Sequence, residues 1–238
     1  MAQSLSGDKI LAVDIGGSHI KATILNAAGE LQISYQIVDT PVLPGPKTLI
    51  ATINHLVHKF PGYDKVSIGF PGYVKDGVVL TAPSLAPTKW NGINLRQILQ
   101  HEFNCPVAVI NDADMQGLGI VSGKGLEMLI TLGTGLGSAL LLNGALLPHL
   151  ELSQHPFTTG VIYDKYIGKK ALAKIGEANW NGRVQKMLLV LKSVFNYEQL
   201  YIGGGNSRLI NIRLDDNVTL VSNEDGIKGG AKLWEVGR

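Results

Sequence analysis

The chain has one cysteine, Cys105, among 238 residues. That excludes an internal disulfide and any cysteine-built zinc cluster. Charge is also scarce: 21 Lys and Arg stand against 19 Asp and Glu, a net +2. No basic excess points to nucleic acid, and no Lys/Arg run points to a membrane surface. No apolar run reaches the ~20 residues of a membrane-spanning helix. Met1–Asp8 is short and polar and lacks the apolar stretch of a signal peptide. The expectation is a cytoplasmic protein with neither nucleic-acid nor membrane partners.

Glycine, by contrast, is abundant. The 29 glycines exceed the ~7% of an average chain, and they fall in short clusters between apolar runs. Enzymes of the α/β class that wrap backbone around phosphates have this look. The length fits one large domain or two small lobes.

Apolar runs and turn residues predict the order of elements. Lys9–Asp14 reads as a buried strand, Gly16-Gly17-Ser18 as a turn, and His19–Asn26 and Leu31–Val38 as further strands. A strand–turn–strand opening is a hairpin, which excludes the usual dinucleotide fingerprint. Pro46 starts a helix, Lys65–Phe70 is a strand, and Tyr73–Leu80 is a hairpin turned at Asp76-Gly77. Asn94 caps a helix running to about Phe103. Val107–Ile110 is a strand followed by Asn111-Asp112 and a helix from Ala113 to about Val121. The second half opens in the same way, with strand Leu126–Thr131, turn Gly133–Gly137, strand Ser138–Leu142 and a hairpin at Asn143-Gly144. An irregular loop, Pro148–Gly160, precedes helices at about Tyr163–Ile175 and Asn179–Phe195. Strand Gln199–Ile202 ends at Gly203-Gly204-Gly205 and leads into a helix. Asn217–Val221 is a last strand and Ile227–Trp234 a last helix. This weak internal repeat predicts two related α/β lobes with a cleft between them: residues 1–112, joined by 226–238, and residues 113–225.

Five constellations carry chemistry. Asp14, at a strand end, can hold a metal ion through water. Gly16 and Gly17 let backbone N–H groups reach phosphate oxygens, and Ser18 adds a hydroxyl. Lys21 either faces those phosphates or is a solvated strand residue. Gly133, Thr134, Gly135 and Gly137 repeat that logic at the corresponding junction of the second half. Two such turns suit a phosphoryl donor held between lobes. Asp112, beside Asn111, is either a helix cap or the carboxylate that takes a proton from an attacking hydroxyl, with Asn111 holding neighbouring hydroxyls. Glu151, Gln154 and His155 form a hydroxyl-binding set in an irregular loop. His149 lies near them, but the spacing fits no common zinc pattern. Gly203, Gly204 and Gly205, with Asn206, could receive a nucleotide or an anionic chain.

The segments Asp14–Ser18, Ile68–Gly72, Asn111–Asp114, Leu132–Gly137, Glu151–His155 and Tyr201–Asn206 occur in the order seen in the ROK family of sugar kinases and repressors. The resemblance runs from about residue 9 to 236. Within the family it looks closest to the polyphosphate glucokinase-like branch, through Tyr166–Trp180, Leu200–Ser207 and Val218–Trp234. It implies an actin-like ATPase (ribonuclease H-like) fold, with two lobes around a central cleft. It also implies phosphorylation of a hexose, usually at the 6-hydroxyl, with ATP or polyphosphate as donor and Mg²⁺ as cofactor. Asp112 would match the general base, and Asn111 and Glu151 the sugar ligands. Asp14 with its turn and Leu132–Gly137 would match the two phosphate motifs, and Gly203–Gly205 the nucleotide or polyphosphate motif. A homodimer would be usual.

The chain departs from the family pattern at two sugar contacts. The Glu-x-Gly-His motif appears as Glu151-Leu152-Ser153-Gln154, with His155 adjacent, and a Pro-Asn pair appears as Pro83-Ser84. The cysteine-rich zinc motif of many members is missing, as in the polyphosphate branch, so no structural zinc is expected. Glucose is the default acceptor. The alternatives are a kinase for an amino or N-acetyl hexose, decided at Ser84, Gln154 and His155, and a weakly catalytic or non-catalytic sugar sensor. Only about eight residues precede the first strand, so a DNA-binding role is not expected. Lys165, Lys169, Lys170, Lys174, Arg183 and Lys186 form either a basic path for polyphosphate or solvated helix faces.

Overall fold

The computed structural model describes residues 8–235. The readings at Met1–Gly7 and at residues 236–238 lie outside the described residues. The chain divides into two compact units. One holds the chain up to Met115 and from Ile227 onward, and the other holds Gln116–Gly226.

The first unit is built on β1 (Ile10–Ile15), β2 (His19–Leu25), β3 (Gln36–Asp39), α1 (Pro46–Val57), β4 (Lys65–Phe70), α2 (Leu95–Phe103), β5 (Val107–Asn111) and the start of α3 (Asp112–Ile120). Its sheet runs β3-β2-β1-β4-β5. The first two pairings are antiparallel and the last two parallel. β1 is apolar on both faces because both are covered. Leu11, Val13 and Ile15 pack with Leu49, Ile53 and Leu56 of α1 and with Phe70 and Trp90. Ile10 and Ala12 pack on the other side against Met115, Ile227 and Ala231. Each fully buried Leu or Ile contributes roughly 1.5–3 kcal/mol. The last segment is tied down by Ser67, whose hydroxyl donates to the Gly230 carbonyl at 2.6 Å and accepts from Trp234 Nε1 at 2.8 Å.

The second unit holds β6 (Leu126–Leu132), β7 (Leu136–Leu142), β8 (Ala145–Leu146), α4 (Tyr163–Ile167), α5 (Lys169–Phe195), β9 (Gln199–Gly203) and β10 (Val218–Leu220). Its sheet order is β8-β7-β6-β9-β10, with the same succession of two antiparallel and two parallel pairings. The repeat in the sequence is thus a repeat of topology. Met128, Ile130, Leu200 and Ile202 form the core with Trp180, Val184, Met187 and Leu191 of α5. On the other face Gly117 of α3 brings its helix onto Ala139 and Leu141, where a Cβ would lie about 3 Å from both side chains.

Local signals hold well where they are strong. Pro46 stands at N1 of α1, and Asn94 caps α2 by accepting from Gln97 N–H at 3.0 Å. Both hairpins turn through paired positive φ, at Asp76 and Gly77 (53° and 81°) and at Asn143 and Gly144 (51° and 80°).

Four readings are corrected, one of them the last helix, where the expected Ile227–Trp234 gives only the short helices Asn223–Ile227 and Gly229–Lys232. The strand expected over Leu31–Val38 shrinks to Gln36–Asp39, with only Leu31 bridging Leu25 before it. The helix expected over Tyr163–Ile175 breaks at Gly168, and α5 kinks at Gly176, where φ is 75°. No α-helix follows Gly203–Gly205. The Ser207 hydroxyl returns to the Gly204 carbonyl at 2.8 Å, a local bond that competes with helix, and only the 3₁₀ turn Ser207–Leu209 forms. The loop Pro148–Gly160 also has order: a 3₁₀ turn at Leu152–Gln154 and a strand Pro156–Thr158 paired with Val161–Ile162. No helix among the described residues is long and apolar enough to cross a membrane.

One buried charge locks the start of the second sheet. Glu127 is 0% exposed. Its carboxylate accepts from the N–H groups of Ser122, Gly123 and Lys124 at 2.7–3.1 Å and from the Tyr201 hydroxyl at 2.9 Å. Burial works to raise this carboxyl, but the hydrogen bonds outweigh it and leave it below the usual glutamate value. A lowered carboxyl stabilises fully above the unfolded-state value and ceases to do so as pH falls through the folded one. Glu127→Gln keeps the size but points an amide at N–H donors. It should cost on the order of 3 kcal/mol at neutral pH in urea unfolding and flatten the acid limb of the stability curve.

Candidate functional site

In the first unit the candidate residues gather at the carboxyl ends of the parallel strands, where open α/β sheets bind ligands. Asp14 pairs in register with Gly69 of β4, and Gly69 with Ile110 of β5, one step before Asn111 and Asp112. The missing side chain of Gly69 would meet Asp112 Cα at 3.1 Å and Met115 Cε at 2.8 Å. That gap admits the start of α3. Because register partners point to the same face, Asp14 projects from the sheet face that α3 covers.

Asn111 is the cap, and Asp112 shares in it, its Oδ1 also accepting from Ala113 N–H at 2.9 Å. Asn111 Oδ1 accepts from Ala113 N–H at 2.8 Å and Asp114 N–H at 3.1 Å. Its Nδ2 donates to the Gly72 carbonyl at 3.1 Å. The side chain is 5% exposed. Both ends of this amide make hydrogen bonds inside the protein and fix the side chain at the start of α3. Asp112 follows at the first helical position, half-buried, in the favourable field of a helix N-terminus.

The turn between β1 and β2 is closed by Gly16 N–H on the His19 carbonyl at 3.0 Å. A Cβ on Gly16 would lie 2.9 Å from that oxygen. Thr40 braces the turn from outside: its hydroxyl donates to the Gly16 carbonyl at 2.7 Å and its N–H to the Ser18 carbonyl at 3.0 Å. Gly17 is exposed, Ser18 half-buried, and half-buried Lys21 sits opposite Asp14 in the strand pair. Ser84 is exposed on a loop that packs against Gly72, where a Cβ would overlap the Thr81 carbonyl. Gly72 thus links the Ser84 loop to the Asn111 cap.

In the second unit the structure brings two glycine turns together. Asn206 Nδ2 donates to the Gly133 carbonyl at 3.1 Å, and Asn206 N–H to the Leu132 carbonyl at 2.9 Å. Gly204, at φ 84°, lies on the Leu132 backbone, with no room for a Cβ. Gly205 faces open space. Gly137 lies in β7, paired with Thr131.

The Glu151 loop is an ordered chain of polar contacts. Gln154 Nε2 donates to Ser153 Oγ at 2.9 Å, Ser153 Oγ to Glu151 Oε1 at 2.7 Å, and His149 Nε2 lies 3.7 Å from Glu151 Oε2. Burial works to raise the Glu151 carboxyl. The neighbouring His149 ring and the Ser153 hydrogen bond outweigh it, and the group lies below the usual glutamate value. His155 is exposed, and its ring stands 6.2 Å from Tyr163. Of the basic residues on α4 and α5, Arg183 is internal: it donates to the Tyr166 carbonyl at 2.8 Å and stacks 4.5 Å over the Tyr166 ring. Lys165, Lys169, Lys170, Lys174 and Lys186 are exposed. No group of three or more His, Cys, Asp or Glu suited to a metal ion occurs among the described residues.

Sequence reasoning passed over Thr40, Ser153 and Asp164. Asp164 looks like an ordinary first-turn helix acid, and nothing local links it to Leu136, 28 residues away, whose N–H its Oδ1 accepts at 3.2 Å. Burial lifts its carboxyl above the usual aspartate value, opposed by Leu136 N–H and Lys165 and reinforced by Glu151.

A model of the ROK family matches residues 10–148. The chain belongs to the ROK family. A polyphosphate glucokinase from Mycobacterium leprae (strain TN) is 32% identical over 257 residues, spanning 97% of this chain and 76% of that protein. Among solved structures, an inorganic polyphosphate/ATP-glucomannokinase from Arthrobacter sp. strain KM superposes with a TM-score of 0.86 at 28% identity, covering 95% of this ROK chain and 98% of that one. A ROK family glucokinase from Streptomyces griseus, in complex with glucose and AMPPNP, gives 0.77 at 20% identity over 94% and 98% of the two chains, a likeness of fold. The fold is that of the actin-like ATPases.

Two measurements check this geometry. Asn111→Ala should lower stability by about 2 kcal/mol in urea unfolding, from the lost cap and the unpartnered Gly72 carbonyl. In a carboxyl-carbon NMR titration, Glu151 should titrate below ordinary glutamate and Asp164 above ordinary aspartate.

Proposed function

We propose that the chain is a sugar kinase that transfers a phosphoryl group from polyphosphate or ATP to a hexose hydroxyl, with glucose to glucose 6-phosphate as the first reaction to test. The observation that carries the reading is the placement of Asp112. It stands at the start of α3, fixed by the Asn111 cap, at the same end and on the same face of the sheet as Asp14. Such a carboxylate can take the proton of an attacking hydroxyl while backbone N–H groups hold the phosphoryl oxygens.

In this reading Asp112 is the base, and Glu151, Gln154, His155 and Ser84 contact the sugar. Asn111 acts by holding Asp112. Gly16, Gly17, Ser18 and Lys21 serve the phosphates on the first unit, and Gly133, Thr134, Gly135, Gly137 and Gly203–Gly205 serve them on the second. A Mg²⁺ ion arriving with the donor would neutralise phosphate charge. Asp14 is the residue that would hold it through water, and a lone carboxylate beside a glycine turn fits an ion that keeps most of its own waters. The exposed lysines of α4 and α5 support polyphosphate as donor. The exposed Leu189, Val190 and Val194 of α5 support a homodimer.

The acceptor is the finer question, because Gln154 replaces a family histidine and its amide donates to Ser153. A kinase for an amino or N-acetyl hexose is the second reading this contact favours. The test is formation of glucose 6-phosphate from glucose, Mg²⁺ and either ATP or polyphosphate, followed by a hexose panel. Asp112→Asn should lower kcat by about 10²–10⁴-fold and leave sugar affinity, read by calorimetry, within a few-fold. Near-normal turnover in that variant would remove Asp112 as the base. Sugar binding without phosphorylation across the panel would leave a sensor.

A further inference from the structure

We propose that Asp164 is a positioning residue for the phosphoryl donor, holding the turn Gly133–Leu136 in the orientation that presents its N–H groups to phosphate. This rests on the reading of the chain as a phosphoryl-transfer enzyme.

The short segment from Asp164 to Lys169 grips the turn at three points. Asp164 Oδ1 accepts from Leu136 N–H at 3.2 Å. The same carboxylate lies directly on Gly135, in the space any side chain there would need. Lys169 N–H donates to the carbonyls of Gly133 and Thr134 at 3.0 and 3.2 Å. Between these, Gly168 passes so near the turn that a Cβ would lie 2.6 Å from the Thr134 carbonyl. That close passage is why the expected helix breaks there: Gly168 stays extended, at φ −67° and ψ 172°, and α5 begins afresh behind it.

The consequence follows from peptide geometry. In a trans peptide the C=O of one residue and the N–H of the next point in opposite directions. With the carbonyls of Gly133 and Thr134 drawn to Lys169, the N–H groups of Thr134 and Gly135 are directed to the far side of the turn. Two successive N–H groups directed to one side form an anion-accepting concavity. Asp164 closes the arrangement by taking the next N–H, that of Leu136, so the turn cannot rotate about its end.

Asp164 is suited to this because its carboxyl is held as an acceptor against the turn. It is largely buried, with 23% of its side chain exposed, and Lys165 Nζ lies 3.9 Å from Oδ2. Burial and the neighbouring Glu151 both favour its neutral form. The geometry requires an oxygen at this point, and an amide oxygen serves as well.

The experiment compares wild type, Asp164→Ala, Asp164→Asn and Gly168→Ala in two readouts: calorimetric binding of tripolyphosphate, which needs no turnover, and KM for donor and for sugar. Asp164→Ala and Gly168→Ala should bind tripolyphosphate at least 10-fold more weakly and raise donor KM by a similar factor, with sugar KM within twofold. Asp164→Asn should stay within threefold of wild type in every readout. The proposal is overturned if Asp164→Ala binds tripolyphosphate like wild type, if sugar and donor KM rise together, or if wild type does not bind tripolyphosphate. It is equally overturned if Asp164→Asn is as impaired as Asp164→Ala, since charge would then matter in place of the accepted N–H. Donor-selective loss of tripolyphosphate binding, in a protein that phosphorylates no hexose, would uphold the role of Asp164 and remove the kinase reading.

Discussion

The side chain of Asn111 is the joint on which the first unit's functional end depends. One amide closes two open backbone positions at the start of α3 and anchors the chain beyond β4 through Gly72. A helix start leaves N–H groups without intrahelical partners, and buried ones are costly unless capped. By meeting that need, Asn111 sets the direction in which Asp112 leaves the sheet. Gly69 and Gly72 complete the joint by letting backbone lie on backbone, so that Asp14, Asp112 and the loop of Ser84 are held by one small set of contacts.

The second unit repeats the topology of the first but uses its glycines differently. In the first unit a threonine just past β3 braces the turn: Thr40 takes up the carbonyls of Gly16 and Ser18. In the second, the turn is braced by chain that arrives much later, at Asp164, Lys169 and Asn206. The same strand order therefore supports two turns with different supports. The later segments also bring the turn near the Glu151 loop, since the Glu151 charge helps to raise the Asp164 carboxyl.

Much of this protein was legible because its signals are local. Pro46 at a helix start, Asn94 as a cap, and the Asp76-Gly77 and Asn143-Gly144 hairpins depend on a few neighbouring dihedrals and one or two hydrogen bonds, which residue type alone dictates. The apolar runs of β1, β4, β6 and β9 were equally plain, because strands covered on both faces read as continuous hydrophobic stretches. The glycine turns and Asn111-Asp112 were visible as clusters, and the ROK resemblance rests on the order of those clusters along nearly the whole chain.

What failed to show in the sequence was every contact between distant segments. The break at Gly168 comes from the Thr134 carbonyl pressing on it, and the missing helix after Gly205 from Ser207 and Asn206 turning back on the sheet. The start of α3 is capped by Asn111 with Asp112 beside it, and the Gly72 carbonyl fixes the other end of the asparagine amide. Sequence by itself determined the elements, their order, the two-fold repeat and the residue types available for chemistry, since each follows from local propensity and periodicity. Tertiary structure alone decided which of those residues have their polar groups committed to the fold and which remain to meet a ligand, because hydrogen bonds and close backbone approach depend on where distant segments meet.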